Sequence, residues 1–385
     1  MTKKIILIIG ILVVVGIAVM LILGARQEGQ VDGTGGFSIK NFFPFGNPEV
    51  DFVDVNATNE PVDSIEGENA SSGEVSNMGN EVNIPKLRKI STEPVAGSIF
   101  LQSGTTSILR FVYKSSGNVY EVHSNRANVV RLTNTTIPKI NRVIWLPDGS
   151  GFLTQRADES GFTQTNFVRL RPRIATTSEL TTAFEPVISE LPSGIIEITP
   201  SPDSKKIFFY TMNGNAQGFV SDPDGTNQTL VFSSPFSEWL PNWYSANSIL
   251  LASKPGFNSN SYGYVLNPTT KTINKYFGGV VGGSALPQPT SANAIISSGG
   301  TLPSLWLYTD STKALSNTLV ATLADKCAWV NGELSVICGV PKSTPNSSYP
   351  DLWYQGIIST DDIIEKIDLS KNYLLILSNP ILFKF

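Results

Sequence analysis

The chain is poor in the side chains from which most reaction centres are built. Its 385 residues include one histidine, two cysteines and four methionines, and only 16% are charged. Two cysteines and one distant histidine fall short of the four ligands a zinc site takes. A Ser-His-Asp triad would have to use His123, and no Gly-x-Ser-x-Gly elbow accompanies it. A phosphate-cradling glycine loop is also missing, because the run Gly278–Gly283 opens no helix. No cofactor, no metal site and no nucleic-acid module is therefore expected. With no residue set that specifies a reaction, the chain reads as not an enzyme.

What is present is turn chemistry. Glycine (32) and proline (24) are frequent, with Ser, Thr and Asn throughout, a composition of short strands and tight turns rather than helices. The net charge of −4 is unevenly spread, since residues 26–85 carry eleven acidic side chains against Arg26 and Lys40. Ile5–Leu23 is a run of nineteen residues without charge, preceded by Lys3 and Lys4. As a helix it would be about 30 Å long, one hydrocarbon core. Leu23 occupies the position where a cleavage site after Ala25 would want a small residue, which favours an uncleaved anchor over a signal peptide. The expected organisation is an N-terminal transmembrane anchor (1–25) with a cytoplasmic N-terminus, an acidic disordered linker (26–85) and an extracytoplasmic β-domain (86–385) at the cell membrane. Within the linker, Phe37, Phe42, Phe43 and Phe45 form an aromatic cluster, read as a patch on the membrane interface or the domain, or as a docking motif.

A repeat builds the β-domain. Leu101, Trp145, Pro200, Trp243, Pro289, Trp329 and Asp368 occupy equivalent positions at steps of 44, 55, 43, 46, 40 and 39 residues. Periods of this length with several short strands each belong to propellers. The hinge Ser-x-Asn recurs at Ser245–Asn247, Ser291–Asn293 and Ser370–Asn372. The expectation is an all-β, seven-bladed β-propeller, with six or eight blades as alternatives. Lys86–Ile90 would supply the fourth strand of the last blade. Ile174–Gly194 reads as an insertion, with a short helix over 178–184.

Pro200-Ser201-Pro202-Asp203, followed by Asp222-Pro223-Asp224-Gly225, and again Trp145-Leu146-Pro147-Asp148-Gly149, resemble the TolB-type propeller repeat. The resemblance covers one repeat well and a second fairly, and implies four-stranded blades. It does not bring TolB's function, because no α/β domain precedes the propeller. The whole also resembles single-span bacterial membrane proteins with an exported propeller.

Cys327 and Cys338 lie in one hairpin. A two-residue turn at Asn331-Gly332 would set Cys327 opposite Val336, with Cys338 as its diagonal neighbour. A disulfide is the expectation, against two buried free thiols. Arg169, Arg171 and Arg173 share one strand face, either a solvated edge or a polyanion contact. The loops between second and third strands are expected on one face: Arg156–Phe162, Met212–Gly218, Lys254–Gly263 and Pro341–Asp351. Arg156, Phe257, Tyr262 and Tyr349 are the binding residues they suggest. The leading functional expectation is a scaffolding module for a protein or cell-envelope polymer. The alternatives are a glycan or peptide hydrolase or lyase with carboxylates in the central channel, and a structural subunit of a surface or secretion assembly.

Overall fold

A computed structural model describes residues 88–157, 161, 163–173, 182–371 and 373–376. The anchor, the linker and the Phe37–Phe45 cluster lie outside them. Among the described residues no helix is long and apolar enough to cross a membrane.

Among the described residues, twenty-four strands form six four-stranded sheets, each an antiparallel meander from one continuous stretch of chain. Blade one holds β1 (Val95–Ser103), β2 (Thr106–Tyr113), β3 (Val119–His123) and β4 (Val129–Arg131). Blade two holds β5 (Arg142–Trp145), β6 (Gly151–Ala157), β7 (Thr163–Pro172) and β8 (Phe184–Glu190). Blade three holds β9 (Ile195–Pro200), β10 (Ile207–Asn213), β11 (Asn215–Ser221) and β12 (Thr229–Ser234). Blade four holds β13 (Trp239–Ser245), β14 (Ser248–Ser253), β15 (Asn260–Leu266) and β16 (Ile273–Val281). Blade five holds β17 (Ser284–Pro287), β18 (Ala294–Ser298), β19 (Ser304–Thr309) and β20 (Ala314–Asn317). Blade six holds β21 (Cys327–Trp329), β22 (Ser335–Pro341), β23 (Asp362–Asp368) and β24 (Tyr373–Ile376).

The second strands explain the stacking. They are continuous apolar runs, such as Ile207–Tyr210 and Ile249–Ala252, buried throughout. Successive strand side chains point to opposite faces, so such a run needs a neighbour on both sides. Phe208 joins the core shared with blade four, while Phe209 joins the core shared with blade two. Leu251 and Leu250 divide in the same way between blades three and five, as do Ile296 and Ile295 between blades four and six. Five apolar clusters thus fill the five successive interfaces of six blades.

The seventh blade is therefore a miscount, and its cause is local. Asp368 ends β23, a third strand, and its Oδ1 accepts hydrogen bonds from Ser370 N (3.0 Å) and Oγ (2.6 Å). Asp148, after a first strand, makes the same pair with Ser150 N (2.9 Å) and Oγ (2.7 Å). One turn chemistry thus serves two positions in a blade. The proposed strand exchange fails with it: β24 closes the sixth sheet from its own stretch of chain, and Arg88–Ile90 forms no strand. Nor is 174–194 an insertion, because Phe184–Glu190 is the fourth strand of blade two, paired along β7 from Pro172↔Phe184 to Asn166↔Glu190. Phe184 is thus strand, not helix, and 174–181 lie outside the described residues.

The cysteine hairpin is offset from its expected register. Val330 N bonds to Ser335 O at 2.9 Å, so four residues close the turn where two were expected. Cys327 consequently faces Cys338 directly, with Trp329 opposite Val336. The two sulfurs form a disulfide.

Candidate functional site

Strand polarity places the starts of the inner strands and the loops between second and third strands on one face. Two of those loops are substantial, 254–259 in blade four and 342–361 in blade six, whereas blade three turns at Gly214 alone. The 342–361 segment lies across blade five. Tyr349 exchanges backbone hydrogen bonds with Gly300 (2.9 and 3.0 Å), and Ser347 N bonds to Thr301 O. Its short helix α1 (Asp351–Tyr354) reaches blade four, where Asp351 Oδ1 accepts from Phe257 N at 2.9 Å.

The sequence-predicted residues fall at different places on this face. Tyr349 is 2% exposed and anchors the segment. Phe257 is half-buried and tied to that segment through Asp351. Tyr262 is 37% exposed and lines a cleft on the blade-three side of blade four. Arg156 stands apart on blade two, its Nε donating to Gln164 Oε1 at 2.8 Å. Contact between the blade-four and blade-six loops is therefore present, and Arg156 takes no part in it.

Near this 342–361 strap lies a cavity of about 290 Å³. Three consecutive inner strands wall it, through Asn242 of β13, Ser284 of β17 and Cys327 of β21, with Pro255 at its rim. It therefore faces the propeller axis. A 3₁₀ turn, Ala324–Lys326, carries Asp325 into its wall. Asp325 Oδ2 accepts from Ser284 Oγ at 2.5 Å and from the Tyr354 hydroxyl at 3.1 Å. Ser284 has one proton to give and gives it to Asp325, so Ser297 Oγ donates in turn to Ser284 across 2.9 Å. The residue is exposed, and Oδ1 faces no hydrogen-bond donor among the described residues. Although Tyr354 is 39% exposed, burial around its hydroxyl and the adjacent Asp325 charge push that hydroxyl well above the usual tyrosine range. It keeps its proton and goes on donating.

The next residue fixes the far end of the strap. Lys326 Nζ pairs with Asp362 Oδ2 at 2.5 Å and donates to Thr360 Oγ1 at 2.7 Å. Both side chains of the ion pair are buried, at 10% and 1% exposure. Desolvation lowers the Lys326 pKa, and the Asp362 charge opposes that shift. Asp325 and Lys326 thus fasten α1 and the strap's exit to the start of the sixth inner strand. A carboxylate with one oxygen held by two hydroxyls and the other open can accept a proton from a bound water or a carbon acid.

Sequence reasoning passed over Asp325, Ser284 and Tyr354. One signal was available: Asp325-Lys326 is an adjacent charge pair placed where a chain of low charge enters an inner strand. Elsewhere on the axis, Arg142 Nη1 of β5 and Glu197 Oε2 of β9 form an ion pair at 2.7 Å. The tempting Asp222 already receives Lys206 Nζ at 2.7 Å and Asn227 Nδ2 at 2.6 Å. His123 ends β3 with Nε2 2.9 Å from Glu121 Oε1.

No protein-family model and no curated protein sequence matches the chain. Among solved structures it is similar to a puromycin-hydrolyzing peptidase of Mycobacterium tuberculosis, at 13% identity over 77% of this chain and 47% of that one, with a TM-score of 0.53. An acylaminoacyl peptidase of Pyrococcus horikoshii matches at 10% identity over 74% and 46%, with a TM-score of 0.44. An oligogalacturonate lyase in complex with manganese matches at 10% over 74% and 85%, also with a TM-score of 0.44. The chain spans about half the length of the two peptidases, and the TolB-type label stays a resemblance of turn motifs. The expectation that the chain is not an enzyme is corrected at this point. It rested on the fold accounting for every residue, yet this fold is carried by a hydrolysing peptidase, and Asp325 keeps one carboxylate oxygen open at the cavity wall.

Proposed function

We propose that the chain cleaves an extracytoplasmic polymer, a peptide or a glycan, as a hydrolase or lyase acting at the mouth of its central channel. The observation that supports this most directly is the Asp325 carboxylate, exposed in an axial cavity and oriented by Ser284 and Tyr354. Asp325 acts as the base through Oδ1. Ser284 and Tyr354 are positioning residues that orient it by donating to Oδ2. The likeness to propeller peptidases lends the class but no residue, since at this identity it speaks for the fold alone. In this reading the uncharged run Ile5–Leu23 holds the propeller outside the membrane, and the acidic stretch lets it range over the envelope.

Incubation of the full chain with peptide and oligosaccharide fragments of cell wall is the test. New amino or reducing ends should appear with wild type and be lost with Asp325→Asn. An Asp325→Asn chain that cleaves as fast as wild type would remove the residue from the mechanism.

A further inference from the structure

The blade-four sheet has a second concavity on its opposite face. This open cleft, about 480 Å³, lies over Trp239 and Tyr264, with Phe236 and Tyr262 as its upper walls. Its volume is within the range of small-ligand sites. The floor is fixed: Trp239 Nε1 donates to Phe236 O (3.1 Å), Trp239 N donates to the Tyr210 hydroxyl (3.2 Å), and that hydroxyl donates to Ser237 O (3.0 Å). Trp239 meets Tyr264 edge-on at 6.0 Å and Phe236 edge-on at 6.1 Å. Phe236 is nevertheless 71% exposed, a large apolar ring standing in water. Tyr262 is covered on one ring face by Lys275 Nζ, 5.7 Å from its centroid.

The rim narrows the ligand chemistry. Glu238 and Lys254 face each other at 3.4 Å, both largely exposed, so the rim offers an acceptor and a donor with no net charge. That pairing, with Lys275 as a single further cation beside Tyr262, gives a polyanion little field to follow. A polyproline groove presents an indole N–H to a peptide carbonyl, but here the Trp239 N–H is already committed to Phe236 O. A ligand with an apolar face, and hydroxyls that both donate and accept around its edge, meets every feature: its C–H face lies on an aromatic ring and its hydroxyls reach Glu238 and Lys254.

We propose that this cleft is a subsite for an uncharged pyranose ring of a glycan. It shares Ser253 with the Asp325 cavity on the other side of the sheet, so a glycan lying across the 254–259 loop reaches both. The inference deepens the cleavage reading by naming its substrate class and rests on that reading for the link between sites. Binding itself is measured without turnover.

The experiment is calorimetric titration of the full chain with cellotetraose and tri-N-acetylchitotriose, alongside tetragalacturonate and a proline-rich decapeptide. At least one uncharged oligosaccharide should bind. Phe236→Ala and Tyr262→Ala should each weaken that binding at least tenfold while melting like wild type. The proposal is overturned if no uncharged oligosaccharide binds, if binding ignores both aromatic substitutions, or if only the decapeptide or tetragalacturonate binds. Saccharide binding without any cleavage by wild type would sink the enzymatic reading and leave the subsite standing.

Discussion

Phe257 N and Asp351 Oδ1 lie 2.9 Å apart although 94 residues separate them in sequence, and this bond spans the face of the propeller from blade four to blade six. It completes a fastening whose other points are the Tyr349–Gly300 backbone pair and the Lys326–Asp362 ion pair. Asp351→Ala removes the acceptor and leaves the rest of the strap attached. Amide exchange over 342–361 should accelerate selectively, and global stability should fall by about 1 kcal/mol, the worth of one hydrogen bond. Uniform acceleration across all six blades would show that the bond supports the whole ring rather than the strap.

The approach of blade one to blade two depends on the absence of a side chain. A Cβ at Gly97 would collide with the Val143 carbonyl oxygen and lie within 2.9 Å of its Cβ. Gly97→Ala must therefore separate β1 from β5, at about 1–3 kcal/mol of stability. A lowered denaturant midpoint checks it, and an unchanged midpoint would mean that these two strands are further apart than described.

Blades were legible where a hinge aromatic or proline stands at the end of an inner strand, as Trp145, Pro200 and Trp329 do. Their number was not, because Asp368–Ser370 makes after a third strand the same turn that Asp148–Ser150 makes after a first. The register of the cysteine hairpin was hidden for a related reason. Asn331-Gly332 resembles a two-residue turn, yet the chain closes at Val330 and Ser335. The Asp325 cluster was the least visible feature, since Ser284, Asp325 and Tyr354 come from three separate stretches that only the packing of blades five and six and the strap brings together.

Cys327 and Cys338 face each other in neighbouring strands and are joined. The bridge closes a short loop, so replacing both cysteines with alanine should cost about 2–3 kcal/mol, chiefly by freeing the unfolded chain. The same drop in denaturant midpoint should follow reduction of the wild-type protein, and thiols should become open to alkylation only after reductant is added. Ready alkylation of the unreduced protein would contradict the pairing.

Glu365 gives an acid response of opposite sign to the turn aspartates. Burial raises its pKa above 4.5, so the folded state binds its proton more tightly than the unfolded state does. Stability from this group is present at low pH and is lost as pH rises through 4.5 toward the folded value. Asp203, Asp224 and Asp368 are held below 3.8, first by hydroxyl hydrogen bonds from Ser201, Thr226 and Ser370. Their contribution is present above 3.8 and disappears as pH falls through the depressed values. Glu365→Gln should therefore raise the melting temperature at neutral pH and leave it unchanged near pH 4. Equal shifts at both would deny the titration.

Tyr354 separates positioning from simple packing. Tyr354→Phe removes the donor to Asp325 and keeps the ring, so kcat should fall at least several-fold with little change in KM. A matching rise in KM would indicate only a loosened strap.

The most direct measurement is the initial rate at which the full chain releases new ends from cell-wall oligosaccharides, compared between wild type and Asp325→Asn at matched melting temperature. The Asp325 base predicts at least a hundredfold loss in the variant, the lower end of what one acid–base group contributes. Equal rates, or no release by wild type from any wall glycan or peptide, would contradict it.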